Sequence, residues 1–183
     1  MKNLIITLIT SVLFVSCTKD KVTIPSSQKI LFGCFFINYA WGYNHQGFFI
    51  DNEGKIMNFS QIGNHNDVSW NFPDEYGNIS ESALMENLQK TTINETKIDK
   101  NTLKLYSDKI YSVEDDDFTE YQAMYDAGAS ICVCYHYDEN TGMYKQVLLS
   151  QEGDWVKTNN NEYAKQISDW LSSINLKLIS NEN

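Results

Sequence analysis

Arginine is absent from the sequence, so all 14 basic residues are lysine, and 24 acidic residues outnumber them. The planar guanidinium of arginine is the side chain best shaped to bind phosphates and guanine edges through two hydrogen bonds. The net charge of −10 also repels polyanions. Both features argue against nucleic acid as a partner.

Proline and long apolar runs are scarce as well. The chain has two prolines, and its longest apolar segment, Leu4 to Val15, holds about a dozen residues, whereas a transmembrane helix needs about 20. Hydrophobic residues make up 42% and charged residues 21%, a balance that favours a packed core over disorder. A chain of this length predicts one globular domain.

The first residues follow the pattern of a removable secretory leader. Lys2 supplies the positive start, the apolar segment follows, and a small residue, Ser16, precedes Cys17 before the chain turns polar. These features predict a signal peptide over residues 1–16.

The motif Phe14-Val15-Ser16-Cys17 resembles the lipobox of bacterial lipoproteins, although that family more often has leucine where Phe14 stands. Thr18-Lys19-Asp20 and the overall composition are similar to those of small lipoproteins of the Bacteroidota. The resemblance implies lipid on Cys17, attachment to a membrane, and an outer-membrane location in the cell envelope, either periplasmic or surface-exposed. Residues 17–28 are then the lipidated cysteine and a flexible tether, and 29–183 the domain.

The hydrophobic pattern predicts an α+β fold in which an antiparallel sheet is built from hairpins, with helices packed on one face. Alternating or β-branched segments predict strands within 30–43, 48–50, 55–59, 130–137 and 143–150. A cap residue or an apolar stripe predicts helices over 81–90, 102–111 and 162–174, and residues 61–79 read as a long ordered loop.

Three cysteines other than Cys17 suggest one disulfide. Export favours a bond between Cys34 and either Cys132 or Cys134, while buried reduced thiols are the alternative.

Cys132, Cys134 and His136 share one side of a predicted strand, but an extended strand splays such ligands, so zinc is not expected. The acidic run from Glu114 to Asp117 is better explained as a solvated loop than as a calcium site. No metal or cofactor is predicted.

Polar, glycine-containing segments that also carry rings are the predicted place for a ligand. The candidate residues are Tyr43, His45, His65, Asn66 and Trp70. Core packing of the rings and simple solvation of the histidines are the alternatives. We expect a binding or interaction module at the membrane surface, for a glycan or an envelope protein. An envelope hydrolase that uses carboxylates or a histidine of residues 44–75 is the alternative, although the sequence has no catalytic motif.

Overall fold

The computed structural model describes residues 23–40, 42–63 and 70–181, with the backbone alone for 176–181. The predicted leader, Cys17, His65 and Asn66 lie outside these ranges. The described part has the expected α+β architecture, with antiparallel strands and three α-helices in a single domain.

Nine strands of the described chain form one open antiparallel sheet. They are β1 Ile30–Asn38, β2 Tyr43–Asp51, β3 Lys55–Gly63, β4 Asn78–Ser80, β5 Thr92–Lys97, β6 Phe118–Gln122, β7 Ala129–Asp138, β8 Met143–Gly153 and β9 Trp155–Asn159. From edge to edge the order is β5-β3-β2-β1-β7-β8-β9-β6, and β4 pairs with β8. The first strand therefore lies at the centre, between β2 and β7.

The helices begin at side chains that bind free backbone N–H groups. They are α1 Glu81–Leu88, α2 Lys100–Ser107 and α3 Glu162–Asn181, with a 3₁₀ turn at Ile110–Ser112. The Ser80 hydroxyl accepts from the N–H of Ala83, and Asp99 plays the same part for α2. Such caps satisfy donors that the first helical turn leaves unpaired. The predicted helix after Ser80 is confirmed.

One face of the sheet, called here the α3 face, is covered by α2 and α3. Side chains of a strand alternate between faces, and on this side Phe32, Phe48 and Leu149 meet the helices. The predicted apolar stripe of α3 is buried here as expected, through Ala164, Ile167, Trp170, Leu171 and Ile174. This layer is the larger part of the core.

The opposite face, called here the α1 face, is covered by α1 together with residues of the 70–80 segment. Leu84 of α1 packs with Phe49, Phe59 and Tyr135, which point away from the α3 face. The helices therefore lie on both faces, whereas the sequence led us to expect one. The reason is that strands such as β2 are apolar at consecutive positions, so each face has a surface to bury.

Residues 24–28 belong to the domain and not to a flexible tether. Gln28 is fully buried, and its Nε2 donates to the carbonyl oxygens of Ile30, at 3.0 Å, and Tyr135, at 2.7 Å. Ile24 packs against the core of the α3 face. The start of the described chain is thus fixed to the sheet.

Candidate functional site

His45 lies on β2 with 2% of its surface exposed, and not in the open loop that its polar neighbours suggested. Rings surround it: the centroids of Phe59, Trp70 and Phe72 lie 4.8, 5.0 and 5.4 Å from that of the imidazole. Burial lowers the pKa of His45 to about 4. The side chain is therefore neutral at pH 7.

The structure brings three of the five predicted ligand residues together, but in an aromatic cluster inside the α1 face. Tyr43 is 3% exposed and its ring centroid lies 6.2 Å from that of His45, while Trp70 is half-buried beside both Phe59 and His45. Tyr43 and His45 are thus closed off from the surface. His65 and Asn66 lie outside the described residues.

The carboxylates described within residues 44–75 include two that hold turns. Asp51 Oδ1 accepts from the backbone N–H groups of Glu53, at 2.9 Å, and Lys55, at 2.8 Å. Asp74 Oδ1 accepts from the N–H groups of Tyr76 and Asn78, and the bond from Asn78 is the main reason that the pKa of Asp74 lies below its usual value. Turn formation explains these two side chains without catalysis.

The cysteines take one of the two pairings that the sequence left open. Cys34 of β1 and Cys132 of β7 are direct neighbours across the sheet, with Cα atoms 4.2 Å apart, and form a disulfide. Cys134 is a buried free thiol, and burial raises its pKa. His136, which shares a side of the predicted strand with these two cysteines, stacks its ring on that of Tyr111. Within the described ranges, no cluster of three or more His, Cys, Asp or Glu side chains is placed to hold a metal ion.

An open cleft of about 670 Å³ lies on the α3 face, beside Asn175 of α3. Two rows of side chains across the sheet form its floor. The register of the strands places Ser130, Phe36, Gln46 and Ser60 in one row, and Cys132, Cys34, Phe48, Asn58 and Thr92 in the next. The disulfide is therefore part of the floor of the open cleft.

The lining of the open cleft is polar but nearly uncharged. Gln46, Ser60 and Ser130 are exposed, and the half-buried ring of Phe36 lies between two of them in the row. Asn58 Oδ1 is buried and has no hydrogen-bond partner among the described residues. Lys90 is the single charged side chain in the described lining. Such a surface suits a ligand that offers hydrogen bonds and an apolar face.

Sequence reasoning missed the open cleft because its residues alternate with the bulky ones on the same strands. Phe36 shares its side of the strand with the small residues Asn38 and Ala40, whereas Phe35 and Ile37 on the other side form the apolar pattern that indicates a buried face. One sequence pattern could have indicated the open cleft. Amide and hydroxyl side chains occupy alternate positions in parts of β2 and β3, including Asn44, Gln46 and Ser60.

No protein-family model, curated protein or solved structure matches the chain. Over residues 23–40, 42–63 and 70–181, no helix is both long enough and apolar enough to cross a membrane.

Proposed function

We propose that the protein is a cell-envelope lipoprotein, attached to a membrane through lipid on Cys17, whose domain binds an uncharged, hydroxyl-rich ligand such as a glycan in the open cleft. The observation that carries the binding role is the row of Ser130, Phe36, Gln46 and Ser60 across four adjacent strands.

The chemistry of the row favours a neutral ligand. Amide and hydroxyl groups both donate and accept, which matches the hydroxyls of a sugar, and the ring of Phe36 offers an apolar surface for a sugar face. A strongly charged ligand would lose its hydration without gaining an opposite charge from these side chains. A ligand donor within reach of Asn58 Oδ1 would also satisfy that buried acceptor.

The floor of the cleft is rigid, which favours binding. Four of its strands, β3, β2, β1 and β7, lie inside the sheet with partners on both sides, and the Cys34–Cys132 disulfide ties β1 to β7. A site that is already ordered loses less conformational entropy when a ligand binds.

Hydrolysis by groups of residues 44–75 is the weaker candidate. Asp51 and Asp74 accept backbone hydrogen bonds that form turns, and the imidazole of His45 is enclosed by rings. General acid–base catalysis needs a proton-transfer group within reach of the substrate. The open cleft has no Asp, Glu or His in its described lining.

Membrane attachment rests on the leader and the lipobox-like motif ending at Cys17. Each buried methylene of an acyl chain contributes about 0.8 kcal/mol, so two or three chains give a stable attachment, whereas a single chain binds reversibly. Mass spectrometry of the protein from a lipoprotein-producing bacterium should find a mature chain that starts at acylated Cys17, and Cys17→Ala should abolish acylation. An unmodified Cys17 in the mature chain contradicts the anchoring.

The binding role is tested with an array of neutral and acidic glycans. We expect binding to neutral glycans, weakened about five- to tenfold by Gln46→Ala, which is the loss of one or two hydrogen bonds. The matched control is Gln122→Ala, which removes an exposed amide from β6 far along the sheet order. If the two variants bind the neutral glycan with equal affinity and have unchanged melting temperatures, the open cleft is not the binding site.

A further inference from the structure

A second cavity, of about 730 Å³, lies between residues 23–26 at the start of the described chain and helix α2. Its wall is partly apolar, through Ile24, Pro25, Leu31 and Leu103. Three lysines also line it: Lys97 at the end of β5, and Lys100 and Lys104 on α2. We name this cavity the lysine pocket.

The lysine pocket is a positive region in a chain whose net charge is −10. Its two carboxylates are already bound to lysines: Asp108 to Lys104, with N–O distances of 2.8 and 3.0 Å, and Glu53 to Lys55 at 2.7 Å. Lys97 and Lys100 are exposed and form no ion pair with any described residue. Two ammonium groups are therefore available to an anion.

The register of the sheet places one more lysine beside Lys97. Lys97 lies opposite Lys55 in the register of β3 and β5, and like charges at opposite positions of a sheet destabilise each other. Lys55 is paired with Glu53 and does not line the lysine pocket, so an anion bound there meets the ammonium groups of Lys97 and Lys100. The position of the lysines thus favours an anionic ligand over a cationic or neutral one.

The pocket also lies at the end of the chain that leads to the membrane. Thr23 lines it and follows Cys17 by six residues. An extended chain spans at most about 3.6 Å per residue, so Thr23 cannot lie more than about 22 Å from an anchored Cys17. If the anchoring proposed above holds, the pocket stays within reach of the lipid headgroups.

We infer that the lysine pocket binds an anionic phospholipid of that membrane. Lys97 and Lys100 would contact the phosphate, while the glycerol and the first acyl carbons would lie against Ile24 and Leu103. This ligand uses both the positive and the apolar parts of the pocket, whereas a free phosphate ion uses only the first. The inference rests on the proposed membrane location for its biological setting, but its binding chemistry is tested apart from lipidation.

The test uses an acyl-free mature chain, residues 17–183 with Cys17→Ala, which retains every residue that the structure describes. Dihexanoyl phosphatidylglycerol, dihexanoyl phosphatidylcholine and inorganic phosphate, each below its micelle concentration where one exists, are titrated by calorimetry. We expect the phosphatidylglycerol to bind at least fivefold more tightly than either of the other two. The variant Lys97→Gln/Lys100→Gln should weaken that binding at least fivefold.

The control is Lys157→Gln/Lys165→Gln, which removes the same charge from β9 and α3, together with the ion pair of Lys157 with Glu120, and should leave affinity within twofold. Equal losses in the two double variants would mean a general charge effect and overturn the inference. Equal affinity for phosphatidylglycerol and inorganic phosphate would mean a phosphate site without lipid recognition and would overturn it too. Neither outcome bears on acylation of Cys17, which mass spectrometry tests independently.

Discussion

Tyr106 of α2 and Trp170 of α3 stack face to face, with ring planes 5° apart and centroids 4.2 Å apart. Phe32 of β1 meets the same indole edge-on, at 5.2 Å. Trp170 therefore joins both helices of the α3 face to the central strand of the sheet.

Replacing Trp170 should remove this junction. Trp170→Ala is expected to lower the free energy of unfolding by about 3–5 kcal/mol, because a large buried ring is lost and a cavity remains. Urea denaturation followed by circular dichroism measures the change. Tyr163→Ala, on the exposed side of the same helix, should change it by less than about 1 kcal/mol. Equal effects of the two substitutions would show that Trp170 does not hold the layer together.

The disulfide should stabilise the domain by limiting the unfolded chain. Replacing Cys34 and Cys132 together by alanine is expected to cost about 2–4 kcal/mol, since the bond closes a loop with a sequence separation of 98. A reducing agent should destabilise the wild type by a similar amount and leave the double variant unaffected.

Peptide mapping of the same disulfide gives a direct check. We expect a Cys34–Cys132 linked peptide, and slow alkylation of Cys134 in the native protein, because that thiol is buried and its pKa is raised. A peptide that links Cys34 to Cys134 would contradict the pairing.

His45 should make stability depend on pH. The pKa of His45 is about 4 in the folded state, below the ordinary histidine value of 6.5, so the unfolded chain binds the proton first as pH falls. The contribution of neutral His45 to the free energy of unfolding is therefore fully present above about pH 6.5, and it is lost as the pH falls from 6.5 to 4. The shift corresponds to about 3 kcal/mol.

The matched variant for this prediction is His45→Phe, which keeps a ring among Phe59, Trp70 and Phe72 but cannot be protonated. Denaturation curves from pH 7 to pH 4 should show a smaller loss for the variant than for the wild type. Parallel losses would assign the pH dependence to other groups, such as His136, whose pKa burial also lowers.

Gln28 should behave as a structural residue although it precedes the first strand. Its Oε1 accepts from the Tyr111 hydroxyl at 2.8 Å, and its Nε2 donates to two carbonyls. Gln28→Ala removes three hydrogen bonds at buried groups, and of these groups the Tyr111 hydroxyl keeps its bonds to the backbone of Tyr137. The expected cost is about 1–3 kcal/mol in unfolding free energy. The exposed Gln122→Ala serves as control, and a cost no larger than the control's would contradict the role of Gln28.

Local signals were enough to predict several elements. The turn at 138–142 between β7 and β8 and the apolar stripe of α3 each arise from residues close in sequence, and the structure confirms both. Strands β4, β5, β6 and β9 were not predicted, and β4 begins inside the segment 61–79 that was expected to be a loop. β5, the segment Thr92–Lys97, is mostly polar and becomes a strand because it pairs with the edge of β3.

The candidate site was less predictable than the fold. His45 stands between Asn44 and Gln46, which indicates a loop, yet rings from positions 59, 70 and 72 bury it. The floor of the open cleft depends on the register of five strands, and two of these, β1 and β7, lie about 90 residues apart in the chain. Such long-range pairing leaves no pattern in a short window of sequence.

The central position of β1 also has a consequence for the timing of folding. The strand can pair with β2 as soon as both exist, but its other neighbour, β7, comes after about 90 further residues. Because long-range pairing is slow, we expect the chain to remain without its final tertiary structure until most of it has emerged from the ribosome or from a translocation channel. If the protein is exported as proposed above, that delay is useful, because a channel that threads an unfolded polypeptide would otherwise meet a folded domain.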